Sequence, residues 1–371
     1  MPSRVRRLLT GLVVAVAIAG TGAAAAPAQF GAQARDVAIE EFRPSAQTMD
    51  TLRARWERRL QATHRPGTWA QMKMRLTDSD LALLGLPPSR VLRSQRFDQP
   101  TMLDTEGTAT VVDLPPVATF AGTGYFGIRP GAFLLIIDDK GTSWCSLAHA
   151  IGSAGSYGIS TAGHCGPVGQ RATVIAAFGN VSGTLKPIVL DFGQFSASSN
   201  GGLGDDWALI DIAPQFQHLV TPTMAFWGGP RGTYTKTGST ATVNLNDIGS
   251  VPDFSINADP LLAQAIVHYG HGTGLGAGGT PRSGTALHWG ARHFMFFGAI
   301  SPGDSGSGAN TLGGDAVGAT MEAAGIITHR WIDAEMDNGL GIMAGTRTTQ
   351  VKGQLARGQL VGYPAPLPLL P

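Results

Sequence analysis

Thr161-Ala162-Gly163-His164-Cys165 and, far downstream, Gly303-Asp304-Ser305-Gly306-Ser307-Gly308 are the stretches on which the reading of this 371-residue chain turns. The first sets a histidine beside a cysteine at the end of the short run Tyr157 to Thr161. The second sets a serine in a turn built largely of glycine. Between them Asp206 opens the apolar run Trp207-Ala208-Leu209-Ile210. Outward from these anchors the chain reads as strands. Ala132 to Ile137 is an apolar run closed by the turn sequence Asp138-Asp139-Lys140-Gly141, and Trp144 to Ile151 follows it. Ala172 to Phe178, Gly183 to Leu190 and Trp207 to Ile212 continue the pattern. Thr240 to Leu245, Ala263 to His268, Thr285 to Trp289, Ala324 to Thr328 and Gly339 to Ala344 extend it, and Thr346 to Arg357 reads as a terminal helix. Many short strands separated by Gly, Pro and Asp turns predict an all-β barrel or sandwich.

The anchors specify a chemistry. A serine hydroxyl is a weak nucleophile at neutral pH and needs a base within hydrogen-bond reach. Histidine suits this because its pKa lies near working pH. A buried carboxylate on the far ring nitrogen holds one tautomer and stabilises the imidazolium. Charge developing on an acyl oxygen needs preorganised donors, and the N–H groups of Gly303 and Ser305 in a tight turn would supply them. Asp304 is a poor candidate for the acid, because neighbouring side chains in such a turn diverge; it is expected to pair with a buried cation or amine. The order His164, Asp206, Ser305 is one of the chain orders that triads adopt, and it points to hydrolysis of an acyl bond.

With these residues in place, the chain resembles the chymotrypsin-fold (trypsin-like) serine peptidases, and their secreted bacterial members in particular. Residues 161–165 match that family's Thr-Ala-Ala-His-Cys with Gly163 in place of the second alanine. Asp206 to Ile210 resembles its aspartate motif, in which Asp205 falls one residue early and Asp211 late. Gly303 to Gly306 matches Gly-Asp-Ser-Gly, with Ser307 and Gly308 departing from the animal pattern of Gly then Pro. Cys145 and Cys165 match the bridge that pins the histidine loop. The resemblance implies a double antiparallel β-barrel with a short C-terminal helix, the catalytic residues lying between the barrels. It makes His164, Asp206 and Ser305 catalytic, Gly303 and Ser305 the oxyanion donors, and Ala299 and Thr328 part of the substrate pocket. Ala299, six residues before the serine, offers no carboxylate, so apolar or small side chains are expected in the pocket rather than Lys or Arg. His329, after the cleft strand Gly325-Ile326-Ile327-Thr328, is a further candidate for lining it, and Thr328 for a hydroxyl near the triad acid. Arg129-Pro130 is a poor tryptic site, so an internal arginine is the expected partner of Asp304.

The remaining features bound address and organisation. Arg4, Arg6 and Arg7, the apolar Leu8 to Ala19 and the small residues Ala23 to Ala28 read as an export signal over 1–28. In an oxidising compartment Cys145 and Cys165, the only two cysteines, are expected to pair, with free thiols or a metal site as the alternatives. Residues 35–113 hold 23 of the 53 charged residues. That shift marks a boundary near Leu114-Pro115-Pro116. It gives an N-terminal extension or pro-segment at 29–115, partly helical over Met49 to Leu60 and after Thr77. The peptidase-like domain then spans 116–360, and 361–371 is a proline-rich tail. A net charge of +1 gives no reason to expect nucleic acid, and no segment reads as a stable membrane span. No metal or organic cofactor is implied. A protein or peptide substrate is the expected partner, and a catalytically silent binding module is the alternative. An α/β-hydrolase esterase is a further alternative, disfavoured by the serine coming last and by Ser307 breaking Gly-x-Ser-x-Gly.

Overall fold

The strand Phe133–Asp138 is apolar throughout because it is buried on both sides. Side chains alternate across a strand. Leu134 and Ile136 accordingly point into the core shared with Val174, Leu190 and Ile210, while Phe133, Leu135 and Ile137 point the other way. That second face packs on Phe42, Met49, Leu52, Met74, Leu76 and Leu81, all from the N-terminal extension. Each such side chain contributes roughly 1.5–3 kcal/mol on full burial. The extension is therefore packed against the first barrel rather than solvated. The structure, a computed structural model, describes residues 37–117, 126–153, 155–224, 227–239, 265–270, 280–312, 321–332, 340–354, 358 and 360. The expected signal segment, the strand expected over Thr240 to Leu245, and the tail 361–371 lie outside these residues.

A six-stranded antiparallel ring forms the body of each of the two sheets. In the first, Phe133–Asp138 pairs with Gly141–Ser146, and Arg171–Val181 pairs with both Phe133–Asp138 and Thr184–Asn200. Thr184–Asn200 pairs with Asp206–Ile212, which pairs with Ser156–Thr161. The ring closes through Ala150–Ser153 and through Ala148 N–H on Ser160 O (2.7 Å) and Ser160 N–H on His149 O (2.9 Å). Gly141–Ser146 and Ala150–Ser153 are thus two halves of one bent strand, where the sequence predicts a single run from Trp144 to Ile151. In the second ring the order is Ala265–Gly270, Thr280–Trp289, His293–Ala299, Leu340–Arg347, Met321–Ile332 and Gly308–Leu312, which returns to Ala265–Gly270. Both rings follow the strand order one, two, three, six, five, four. Closure pairs each ring strand with two neighbours in its ring and leaves free edges only where strand ends overhang.

The extension contributes strands to both sheets. Ala38–Glu40 pairs with Arg171–Val181, Thr101–Leu103 with Thr184–Asn200, Met74–Leu76 with Gly141–Ser146, and Thr68–Gln71 with Met321–Ile332. The helix expected over Met49 to Leu60 runs Ala46–Thr63 and is capped by Ser45, whose hydroxyl accepts from Thr48 N–H at 3.1 Å. Thr77 and Asp80 form a reciprocal capping box for Asp78–Leu83. The terminal helix starts at Thr348 and is described as far as Gln354; it begins two residues later than the pattern suggested because the strand Leu340–Arg347 runs through Arg347.

Candidate active site

His164 lies on the single helical turn Gly163–Cys165, which leaves the end of Ser156–Thr161. The turn is held from two directions. Cys165 is bridged to Cys145 of Gly141–Ser146, with Cα atoms 6.3 Å apart. Ser198 Oγ donates to Gly166 O at 2.9 Å and to Gly163 O at 3.2 Å. The bridge also means that the Cys145, His164, Cys165 cluster offers no thiolate to a metal. Asp206 opens Asp206–Ile212 at the neighbouring edge and is completely buried. Its main chain is fixed across the barrels: Asp206 N–H donates to Thr346 Oγ1 (3.0 Å), which donates back to Asp206 O (2.9 Å).

Asp206 Oδ1 accepts the His164 backbone N–H at 3.0 Å, and Oδ2 lies 2.6 Å from His164 Nδ1. An ionised carboxylate only accepts, so Nδ1 carries the ring proton and Nε2 presents its lone pair. That lone pair meets Ser305 Oγ at 2.5 Å. Burial alone would raise the Asp206 carboxyl. The His164 imidazole and its backbone N–H, with His329 nearby, override this and hold the carboxyl below its ordinary value. Asp205 instead takes the Trp207 indole N–H (3.2 Å), and Asp211 takes Ser196 Oγ (2.8 Å).

The serine loop is rigid by construction. Gly303 has φ +96°, and a Cβ there would lie 2.5 Å from the Trp144 ring. Its carbonyl accepts from Trp144 Nε1 (3.1 Å) and Ser146 Oγ (2.9 Å). Gly306 has φ +90°, and a Cβ there would lie 2.2 Å from Ser146 O. Ser146 N–H donates to Ser305 O at 2.7 Å. Asp304, fully buried, accepts from Ser301 N–H (3.0 Å) and pairs with the guanidinium of buried Arg282. Arg282 is the internal arginine that the sequence left unassigned. Nothing in one sequence distinguishes it from the other cations; the placement of its strand against the serine loop carries it to Asp304.

The pocket candidates fall in different places. Ala299 ends His293–Ala299, just before the serine loop, with its carbonyl accepting from His268 Nε2 at 2.9 Å. Thr328 borders Ser305, its carbonyl 3.5 Å from Ser305 Oγ. Its hydroxyl does not reach Asp206; it bonds His329 Nδ1 (2.8 Å) and Ala344 O (3.4 Å). His329 stands on the acid side, with Nδ1 3.8 Å from Asp206 Oδ2 and its ring centroid 6.2 Å from that of His164. Burial pushes the His329 imidazole down to about 4 despite the pull of Asp206, so it is neutral at neutral pH. Of the other histidines, His149 bonds Asn310 (3.0 Å), the rings of His288 and His293 lie 5.1 Å apart, and His271 is outside the described residues. One participant carries no signal in the sequence: Met72, whose carbonyl accepts from Gly303 N–H, the expected oxyanion donor, at 2.9 Å.

The fold is chymotrypsin-like. Two closed six-stranded barrels of the same strand order, with His164, Asp206 and Ser305 converging between them, define it. No protein family model and no curated protein sequence matches the chain. Among solved structures it is similar to Thermobifida fusca protease A at 18% identity, covering 63% of this chain and 98% of that one, with a TM-score of 0.38. The Nocardiopsis protease is similar at 16% identity, 61% and 95% coverage, and a TM-score of 0.33. The protease Anisep from Arthrobacter nicotinovorans is similar at 14% identity, 60% and 91% coverage, and a TM-score of 0.33.

Proposed function

We propose that the protein is a secreted serine endopeptidase that cuts peptide bonds through an acyl-enzyme. The observation that carries this reading is the line of contacts Asp206 Oδ2, His164 Nδ1, His164 Nε2, Ser305 Oγ, at 2.6 and 2.5 Å. In that arrangement His164 takes the Ser305 proton as Oγ attacks the acyl carbon, then returns it to the departing amine. Asp206 remains ionised and balances the imidazolium. The Gly303 N–H, with that of Ser305, receives the developing oxyanion; removing one such donor costs roughly 3–4 kcal/mol of barrier stabilisation. The Cys145–Cys165 bridge supports an oxidising compartment, and among the described residues no helix is long and apolar enough to cross a membrane. Ala299 supports a pocket for apolar or small side chains. A peptide panel varied only at the cleaved residue tests this, and a clear preference for Arg would overturn it.

The alternative, a silent binding module, has one observation in its favour: the chain's own Met72 carbonyl sits on Gly303 N–H. A fluorophosphonate label read by intact mass separates the two readings. Stoichiometric labelling of the wild type, and none of Ser305→Ala or His164→Ala, is the expected result. Failure to label the wild type, even after limited trimming of the N-terminal region, would overturn the endopeptidase.

A further inference from the structure

Two short strands of the extension lie on either side of Ser305. Thr68–Gln71 runs antiparallel to Met321–Ile332, with Ala70 opposite Arg330 and Gln71 opposite His329. Met74–Leu76 runs antiparallel to Gly141–Ser146, with Met74 opposite Trp144. Met72 and Lys73 bridge the gap between them, over the serine loop. Met72 N–H reaches Thr328 O at 3.4 Å, and Met72 O accepts from Gly303 N–H at 2.9 Å. The Met72 side chain is fully buried in an apolar cluster that includes Ile300, just before the serine loop, and Ile327, just before Thr328. On one side of it Gln71 Nε2 bonds Asn200 Oδ1 (2.6 Å) and lies 3.4 Å from Asp206 Oδ2. On the other, Lys73 Nζ donates to Cys165 O (2.9 Å) beside the histidine turn.

A peptide is attacked at the residue whose carbonyl the oxyanion donors hold, because that oxygen becomes the oxyanion. Main-chain pairing on both sides of the reacting bond, with one side chain seated in a pocket, is how an extended peptide is presented on a sheet edge. We propose that residues 68–76 are the chain's own first substrate: Met72 fills the primary pocket, and Ser305 cuts the Met72–Lys73 bond in the same molecule. The proposal rests on the endopeptidase reading and names its first target.

The step balances. Ser305 Oγ bonds to the Met72 carbonyl carbon and its proton passes to His164 Nε2. The carbon–nitrogen bond to Lys73 then breaks, and the proton moves from His164 to the new Lys73 amine. Water adds to the Met72 ester, giving its proton to His164, and Ser305 leaves with that proton. One water is consumed, and a Met72 carboxylate and a Lys73 amine remain. After the cut, Met74–Leu76 and Thr101–Leu103 stay in the first sheet as part of the new chain. Residues upstream of the cut are held only by non-covalent contacts, through Ala38–Glu40 and the helix Ala46–Thr63, including the Glu57 carboxylate on Arg330 of the cleft strand (2.5 Å). Their departure opens the groove to other peptides, with unbranched apolar residues favoured in the pocket.

The test is N-terminal sequencing and intact mass of the full chain and its Ser305→Ala, Met72→Asp and Lys73→Pro variants, each checked for folding by circular dichroism. The same samples are labelled with fluorophosphonate, before and after trimming. Expected are a wild-type fragment that begins at Lys73, an uncut Ser305→Ala chain, and cleavage slowed by about tenfold or more in both other variants. Lys73→Pro keeps the test decisive where Met72→Asp fails to fold. A wild type that labels but keeps the Met72–Lys73 bond, or a Ser305→Ala chain cut there equally, would overturn self-cleavage and leave the endopeptidase standing. Unchanged cleavage of folded Met72→Asp would overturn the pocket assignment. An intact bond with no labelling, even after trimming, would overturn both readings.

Discussion

At position 163 a side chain has no room. A Cβ there would fall 1.7 Å from Ser199 O and 2.8 Å from Trp207 O, because two strands of the first barrel close directly over the histidine turn. This is the physical reason that glycine stands at 163, where the motif Thr-Ala-Ala-His-Cys that the chain resembles has alanine. Gly163→Ala is expected to push the turn outward. It should cost about 1–3 kcal/mol or more, and should slow fluorophosphonate labelling as His164 moves off Ser305. Denaturant unfolding and labelling kinetics on one sample check both effects; an unchanged labelling rate would show that the turn yields without moving His164. Asp304 makes the complementary case. Its need for a buried cation was legible from the turn chemistry, whereas the identity of Arg282 was not, since that pairing depends on how the strand Thr280–Trp289 is placed against the serine loop. Arg282→Met takes the guanidinium away from a buried carboxylate and should destabilise by about 3–5 kcal/mol. Asp304→Asn in the same background should recover part of that loss, and a double-mutant cycle measures it.

Elements were legible where a run is apolar and bounded by turn residues, as in Phe133–Asp138 and Asp206–Ile212. They were not legible where the chain's own chemistry masks the pattern. Gly308–Leu312 follows a glycine- and serine-rich turn and reads as its continuation, yet it pairs on both edges. His293–Ala299 was missed as well; it is buried on both faces at its start, so it shows no alternation. Thr68–Gln71 and Met74–Leu76 carry no signal of their own, because such short strands take their structure from the cleft edges they pair with. The bridge from Gly141–Ser146 to the histidine turn acts at this scale too. It closes a loop with a sequence separation of 20, and such a loop is expected to contribute about 3 kcal/mol. Replacing both cysteines by alanine should lower the unfolding midpoint accordingly. It should also depress kcat more than KM for a short peptide, because the bridge aims His164 rather than touching substrate. An effect confined to KM would place the bridge's role in substrate binding.

At the scale of the whole molecule, the composition boundary near Leu114 separates regions that the fold joins. The extension covers the outer face of Phe133, Leu135 and Ile137, and its strands enter both sheets. Charge density reports which residues meet water, and it is silent about which face of a barrel they cover. The same thorough burial sets how the molecule responds to acid. His149, His268 and His329 are pushed down to about 4, in each case chiefly by burial; Asn310 opposes this at His149, Asp304 at His268 and Asp206 at His329. In the unfolded chain each returns to about 6.5. Between those values the unfolded state binds protons that the folded state refuses, so stability falls as pH drops from about 6.5 towards 4, by at most about 1.4 kcal/mol per pH unit for each histidine. Above pH 7 the three contribute no slope. The depressed Asp206 carboxyl acts in the same direction at lower pH, its stabilising share being lost as acid protonates it. Urea unfolding from pH 7.5 to 4.5 should therefore show a stability that is flat and then declines, with up to three protons taken up on unfolding. His149→Gln keeps a hydrogen-bonding partner for Asn310 and removes one titrating group, so its uptake near pH 5 should be lower by about one proton. An unchanged slope in that variant would mean that His149 is protonated in the folded protein, and that the buried contact with Asn310 is made by an imidazolium.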